Sequence, residues 1–299
     1  FFSHTIKKQP YNRNLLRAVL ANDIRLIDYE VLTGERGRRL IAFGRFAGMV
    51  GAHNAIWTYG RRTGAFELPR MKDFRDYAAA TRAYQHLELP PVKIIVTGTG
   101  RVGSGAAEVL RDMGIRQVPP QHLLDREYDE AVFAVLRVVH YVARDDGAES
   151  EIRDYYRDPR GYHSVFAPFY RVADIMINGI YWDRRAPAFF TPEEMRRPDW
   201  NISVVADVTC DIAPVSSIPS TLRPTTIADP VFGFDPVAGQ ETLPYQEHVI
   251  DMMAIYNLPN ELPRDASQSF GEQFIAHILP EFFKPQSDIL DRATIARDG

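Results

Sequence analysis

The architecture of this chain is written most clearly in VKIIVTGTGRVGSGAAEVLRDMG, residues 92–114. Its first part, 92–98, is a short apolar run rich in β-branched residues and predicts a buried strand. Its second part, 100–114, predicts a helix with an inward stripe of Ala107, Leu110 and Met113, stopped at Gly114. Between them Gly98, Thr99, Gly100, Arg101, Val102 and Gly103 spell G-x-G-x-x-G. In that setting the first glycine permits a tight turn and the second lets a pyrophosphate approach the backbone. The third lets the helix pack closely on the strand. Free amides at the helix N-terminus add an anion-binding end. The expected cofactor is a dinucleotide, NAD or NADP; a plain glycine-rich turn is the alternative.

Outward from this unit, strand-like and helix-like segments alternate, as in a parallel α/β sheet. A helix is expected over 11–21, a strand over 24–32 and a turn at 34–37. An apolar helix follows over 40–60, with Ala42, Gly44, Ala47, Gly48, Gly51 and Ala52 forming a small-residue face that another backbone can approach. Further strands are expected at 131–138, 174–181 and 202–208. Residues 145–165 read as helical surface and 211–246, rich in Pro, Ser and Thr, as mostly ordered loop. A closing amphipathic helix is expected over 265–283, with Asp265 as its cap and Gln268 reciprocating. Phe270, Phe274, Ile275 and Ile278 would form its buried face.

At 299 residues, 45% hydrophobic and 25% charged, the chain has a globular composition and room for about two domains. A net charge of −4 gives no basic footprint for nucleic acid. The lone Cys210 excludes an intrachain disulfide and fits a cytoplasmic setting. No metal-ligand spacing is present, and no apolar run reaches the roughly 18 residues of a membrane span. The first residues, FFSHTIKKQP, read as the middle of a strand, so the natural chain is expected to begin before Phe1.

The acid that reads the ribose lies about 20 residues after the glycines in NAD-binding units. Asp125 is at that distance, but QHLLDREYDE reads as a helix rather than a strand end. Arg137, near the end of the 131–138 strand with His140 just beyond, fits either a 2′-phosphate acceptor or a solvated side chain. NAD and NADP both stay open at this level.

An ordered series of longer motifs adds to this. FFSHTIK (1–7), IRLIDYE (24–30), GRRLIAFGRFAG (37–48), VTGTGRVGSGA (96–106), INGIYW (177–182), VADVTCD (205–211), TTIADPVF (225–232) and NLPNELPRDAS (257–267) together resemble the saccharopine dehydrogenase family. That group includes the lysine–ketoglutarate reductases; alanine dehydrogenases are more distantly similar. The resemblance implies an α/β fold of two Rossmann-like domains with a cleft between them, the N-terminal one incomplete in this chain. It implies a substrate domain of 1–38 plus 260–299 and a dinucleotide-binding domain of 39–259. The family's catalytic lysine and a substrate-binding arginine would lie upstream of Phe1.

The resemblance further implies that His4 is the acid/base and that Lys7 and Glu30 tune it. Cofactor contacts fall on Gly98, Thr99, Gly100, Arg101, Val102, Gly103, Arg38, Ile180, Asp207, Val208, Asn257 and Leu258. Substrate contacts fall on Arg39, Phe43, Tyr181 and Trp182. Val102 is a departure, since fungal relatives carry cysteine there. The implied activity is interconversion of saccharopine with L-lysine and 2-oxoglutarate. An alanine-dehydrogenase-like enzyme and a non-catalytic dinucleotide-binding module are the alternatives.

Those residue types suit that chemistry. Imidazole titrates near neutral pH and can move a proton. A carboxylate such as Glu30 closing a strand needs a partner, and Lys7 is the expected one. Arg38 and Arg39 offer guanidinium forks for carboxylate or pyrophosphate. Asp207 ends a strand, where open α/β sheets bind ligands. Cys210 has no activating neighbour and reads as structural, and the aromatic stretch 155–170 reads as packing.

Overall fold

A computed structural model describes residues 10–35, 37–149 and 152–297. The chain divides into two compact units, Phe1–Phe43 with Asp265–Gly299, and Gly44–Arg264. The junctions lie five residues beyond the 38/39 and 259/260 read from the sequence. The second falls within the first turn of the helix Pro263–His277.

In the smaller unit, helix Arg13–Ala21 precedes Leu26–Ile27, which pairs antiparallel with Thr294–Ala296. The strand expected over 24–32 is only these two residues. Buried Asp28 accepts the Glu30 amide at 2.9 Å and turns the chain into the 3-10 segment Tyr29–Val31. A side-chain acceptor two residues before the amide offers the backbone an alternative to the ladder. Leu32, Ile41, Ile278, Leu290 and Ala293 form this unit's core.

The closing helix starts at Pro263, so Asp265 is inside its first turn rather than capping it, and Gln268 donates to Glu272 instead. Phe270 and Phe274 pack against the core with Ile278, but Ile275 is 62% exposed. Residues 270, 274 and 278 follow the i, i+4 row; Ile275 is about 100° away from it around the axis.

The larger unit is built on one eight-stranded sheet. Its strands are β1 (Lys93–Thr97), β2 (Arg116–Gln117), β3 (Val132–Leu136), β4 (Ile175–Asn178), β5 (Val204–Asp207), β6 (Phe232–Asp235), β7 (Gln240–Thr242) and β8 (Ile250–Met253). Their order across the sheet is β7-β6-β8-β5-β4-β1-β3-β2. All neighbours from β8 to β2 are parallel, which makes the fold α/β as expected. β6 and β7 run antiparallel at one edge. They lie within 211–246, which is otherwise mostly loop as read: Asp235 accepts the amides of Val237 and Ala238, and Gly239 takes a positive φ, closing a hairpin. Phe232 and Phe234 then reach the core.

Residues 145–165 hold a correction. The helix Ile152–Arg157 is present, but Val142–Arg144 and Tyr162–Ser164 form a small antiparallel pair. The aromatic stretch is packing: Phe166 and Tyr170 are fully buried, and Tyr170 stacks on Trp200 at 4.8 Å.

The small-residue face of the long helix Gly44–Thr63 meets the motif helix Arg101–Asp112. A Cβ on Gly48 would lie 1.9 Å from the Val102 carbonyl oxygen, and one on Gly105 would lie 2.1 Å from that of Arg45. The two backbones therefore touch, and the Arg45–Glu108 ion pair closes the contact at the surface. Gly48→Leu should cost about 3 kcal/mol by overpacking. Gly271→Ala, in a helix position with open space around the new methyl, should add about 0.5–1 kcal/mol. Denaturant unfolding of both variants checks the contact; equal stabilities would refute it.

Candidate functional site

The glycine turn joins β1 to the motif helix, and each glycine has its own reason to be there. Gly98 has φ +93°, and a Cβ on it would lie 2.8 Å from the Gly179 carbonyl oxygen. A Cβ on Gly103 would lie 1.9 Å from the Gly98 carbonyl oxygen, so the helix presses directly on the turn. A Cβ on Gly100 would meet nothing within 4 Å. Gly100 caps the helix without a side-chain hydrogen bond, so the helix start carries no capping side chain of its own. This is a cradle with an open floor, and it fits a pyrophosphate. Val102 fills the space beside Gly179, and Thr99 and Arg101 are exposed on the turn.

A row of polar residues closes the adjacent strands. Thr97, Asn178 and Asp207 are the last residues of β1, β4 and β5 and are paired in register. Thr97 Oγ1 donates to Asn178 Oδ1 at 2.7 Å. Asn178 Nδ2 donates to Asp207 Oδ1 at 2.9 Å and to Ser217 Oγ at 3.0 Å. Thr221 Oγ1 donates to Asp207 Oδ2 at 2.7 Å, and the Cys210 amide donates to Oδ1 at 3.2 Å. All three strand ends are fully buried. Asp207, read from the sequence as a ligand contact, thus has both oxygens engaged within the protein and works on the loop that follows it. Thr97, Asn178, Ser217 and Thr221 were not singled out in the sequence. The available signal was a polar residue ending each of three apolar strands.

Burial pushes the Asp207 carboxyl up to about 6, while its hydrogen-bond donors hold it lower than burial alone would. It also raises the Cys210 thiol, to about 12, which makes that cysteine inert at neutral pH. The Cys210 thiol donates to the Ala254 carbonyl at 3.2 Å, tying the loop after β5 to the one after β8.

The remaining loops at this edge hold the other candidates. Thr209 Oγ1 donates to the Ile180 carbonyl at 2.8 Å, and Val208 packs on Gly51. Tyr181 is 86% exposed, and Trp182 donates to the Pro187 carbonyl at 3.3 Å. Leu258 is buried in the 3-10 turn Leu258–Glu261, anchored by an ion pair between Arg70 and buried Glu261. Asn257 begins that turn, and its Oδ1 is buried with no hydrogen-bond partner. A buried acceptor without a donor is rare, and this one suits an amide-bearing ligand.

In the smaller unit Glu30 is largely buried and meets Arg39 at 3.4 Å. His4 and Lys7, the expected proton carrier and carboxylate partner, lie outside the described residues. Arg38 is exposed on the turn after Gly34. Phe43 stacks on Phe270 at 5.8 Å and meets Tyr29 edge-on at 6.0 Å. Asp125 is an exposed residue on the short helix Pro120–Asp125, bonded to Gln121, and ends no strand. Among the described residues no group of side chains could hold a metal ion, and no helix is long and apolar enough to cross a membrane.

Asp207 gives this site a pH signature. Its folded pKa lies above the usual carboxylate value, so the native state holds the proton more tightly than the unfolded chain. Its contribution is complete below about pH 4 and is lost as pH rises through about 6, by roughly 3 kcal/mol. Unfolding curves from pH 4 to 6.5 should show that loss in the protein and a flatter profile in Asp207→Asn. Parallel profiles would mean that Asp207 does not titrate in this range.

No protein-family model matches the chain. It is 30% identical to the mitochondrial alpha-aminoadipic semialdehyde synthase of Mus musculus, over 93% of its own length and 34% of that protein's. The chain therefore spans about a third of those longer relatives. Against the lysine-forming, NAD-linked saccharopine dehydrogenase of Neurospora crassa it is 28% identical, covering 93% of this chain and 67% of the other. Among solved structures it is similar in fold to an L-alanine dehydrogenase, with a TM-score of 0.54 and 16% identity over 96% of this chain and 68% of that one. The likeness read from the motifs thus extends over 93% of the chain, which is similar to the saccharopine dehydrogenases and alpha-aminoadipic semialdehyde synthases.

Proposed function

We propose that this chain is a nicotinamide-dinucleotide-dependent oxidoreductase that interconverts saccharopine with L-lysine and 2-oxoglutarate. The observation that carries the reading is the similarity to the Neurospora crassa enzyme along 93% of this chain, with the glycine cradle inside it. In the forming direction the side-chain amine of lysine adds to the keto carbon of 2-oxoglutarate and water leaves, giving a C=N bond. The bound cofactor supplies the hydride that reduces that bond. In reverse, saccharopine is oxidised and water returns to release both products.

The chain's own residues would bind, orient and move protons. Gly98, Thr99, Gly100, Arg101, Val102 and Gly103 would cradle the pyrophosphate against the motif helix. Ile180, Val208, Asn257 and Leu258 would face the rest of the cofactor, with Asn257 Oδ1 accepting a hydrogen bond. Asp207 would act through Asn178 and the Cys210 amide, holding those loops in place. In the smaller unit His4 would carry the proton to and from the reacting nitrogen or water, and Lys7 and Glu30 would set the charge around it. Arg38 is assigned to the cofactor and Arg39, once released from Glu30, to a substrate carboxylate. Phe43, Tyr181 and Trp182 are assigned to the carbon skeleton of the substrate. The alanine dehydrogenase likeness is one of fold and adds no substrate argument.

The test is an absorbance assay of the reduced nicotinamide with L-lysine and 2-oxoglutarate, run with NADH and with NADPH, and the reverse assay with saccharopine. Oxidation that requires both substrates supports the reading. Silence in both directions, with intact dinucleotide binding, would leave a binding module; turnover with pyruvate and ammonium instead would favour an alanine-dehydrogenase-like enzyme. His4→Gln should lower kcat by about 100-fold or more and leave the dinucleotide Kd within about twofold. An unchanged kcat would remove His4 from the chemistry.

A further inference from the structure

The sheet order answers a question that the sequence spacing leaves open, namely which residue reads the adenosine ribose. In a dinucleotide-binding sheet that residue stands at the C-terminal end of the strand beside the glycine strand. Here that strand is β3, in parallel register with β1 from Lys93↔Val132 to Thr97↔Leu136. β2, which follows the motif helix directly, pairs only with β3 and sits at the sheet edge. The usual count of about 20 residues therefore lands on Asp125, on the short helix that follows β2 in the chain rather than at the end of β3.

The end of β3 is fixed to the cradle. The Gly98 amide donates to the Leu136 carbonyl at 3.0 Å, so the residue after Leu136 stands next to the first glycine of the turn. That residue is Arg137. Its amide donates to His140 Nδ1 at 2.9 Å, which holds the backbone in the 3-10 turn Val138–His140. No carboxylate lies within residues 136–144. Arg116 and Arg144 have acidic partners, Glu130 and Asp146. Arg137 is exposed and forms no ion pair among the described residues.

The chemistry of the two cofactors separates them at this position. An unmodified ribose 2′-hydroxyl calls for an acceptor, typically a carboxylate. A 2′-phosphate carries nearly two negative charges and calls for a guanidinium. We infer that this chain selects the 2′-phosphorylated cofactor, NADP(H), over NAD(H), and that Arg137 is the residue that discriminates between them. The inference rests on the reading of the glycine turn as a dinucleotide site and adds to it the identity of the dinucleotide. Arg137 touches the adenosine end and is a specificity residue rather than a catalytic one.

The test is direct binding to the intact protein, by calorimetry or by the fluorescence of the reduced cofactors. NADPH and NADH are compared, together with 2′-phospho-ADP-ribose and ADP-ribose, which report the adenosine half alone. NADPH and the phosphorylated fragment should bind about 10–100-fold more tightly than their counterparts, the range of a charge-assisted bond. Arg137→Gln should weaken those two by a similar factor and leave NADH and ADP-ribose within about threefold. Arg137→Asp should shift the preference toward NADH, and circular dichroism checks that both variants are folded. Equal affinities in the parent protein, or an Arg137→Gln that weakens all four ligands alike, would overturn the inference and leave the dinucleotide site standing. Failure of every ligand to bind would instead overturn the dinucleotide reading beneath it.

Discussion

The larger unit is organised around a steric constraint: Gly103 lies so close to the Gly98 carbonyl that no side chain fits between the motif helix and its strand. The constraint propagates. With the helix pressed onto the turn, the Val102 carbonyl comes within contact of Gly48, and Gly105 comes within contact of Arg45 on the long helix. Val102 itself is driven against Gly179 at the end of the next strand. A line of glycines, from two helices and two strand ends, is what lets these backbones come together. Gly100 is the exception, and its open surroundings are what make the place a cradle instead of a packed corner.

The second organising feature is electrostatic. A strand's last residue in an open α/β sheet must leave the apolar interior, and here three neighbouring strands end on Thr97, Asn178 and Asp207. Each side chain satisfies the next, so the row can be wholly buried without orphaned groups on Asn178 or Asp207. The cost of burying a carboxylate shows in its raised pKa; what it returns is a fixed path for the loop through Cys210. A second buried carboxylate, Glu261, solves the same problem differently, with a full ion pair to Arg70, itself packed over Trp57. Between them the two carboxylates hold the loops that follow β5 and β8, and Asn257 Oδ1, in the second of these loops, is a buried acceptor left without a donor.

The glycine motif, the parallel alternation and the helix at Gly44–Thr63 were legible in the sequence because each is a local pattern: glycine spacing, apolar runs of strand length, a face of small residues. The errors were places where one side chain overrode such a pattern. Asp28 ended a strand that the apolar spacing of 24–32 would have continued. Asp235 also folds a hairpin inside the otherwise loop-like stretch 211–246 and brings Phe232 and Phe234 to the core, a detail that its Pro, Ser and Thr content masked. Of the candidate site residues, the six of the glycine turn lie together because they are contiguous, whereas the contact of Arg39 with Glu30 joins side chains on two separate segments. The relationship to saccharopine dehydrogenases was also legible, from long irregular motifs that no periodicity argument produces.

By itself, then, the sequence determined the βα unit, its glycine pattern and the family likeness, since all three reside in contiguous residues. Only the tertiary structure decided which strand lies beside β1, because strand adjacency is set by pairing between segments far apart in the chain. That choice places Arg137, 34 positions past Gly103, beside the glycine turn, and leaves Asp125 on a short helix, at the end of no strand. It likewise brought Thr97, Asn178 and Asp207 into one row, although 81 and 29 residues separate successive members. Spacing along a chain measures distance only within an element; across a sheet, the hydrogen-bonded register does.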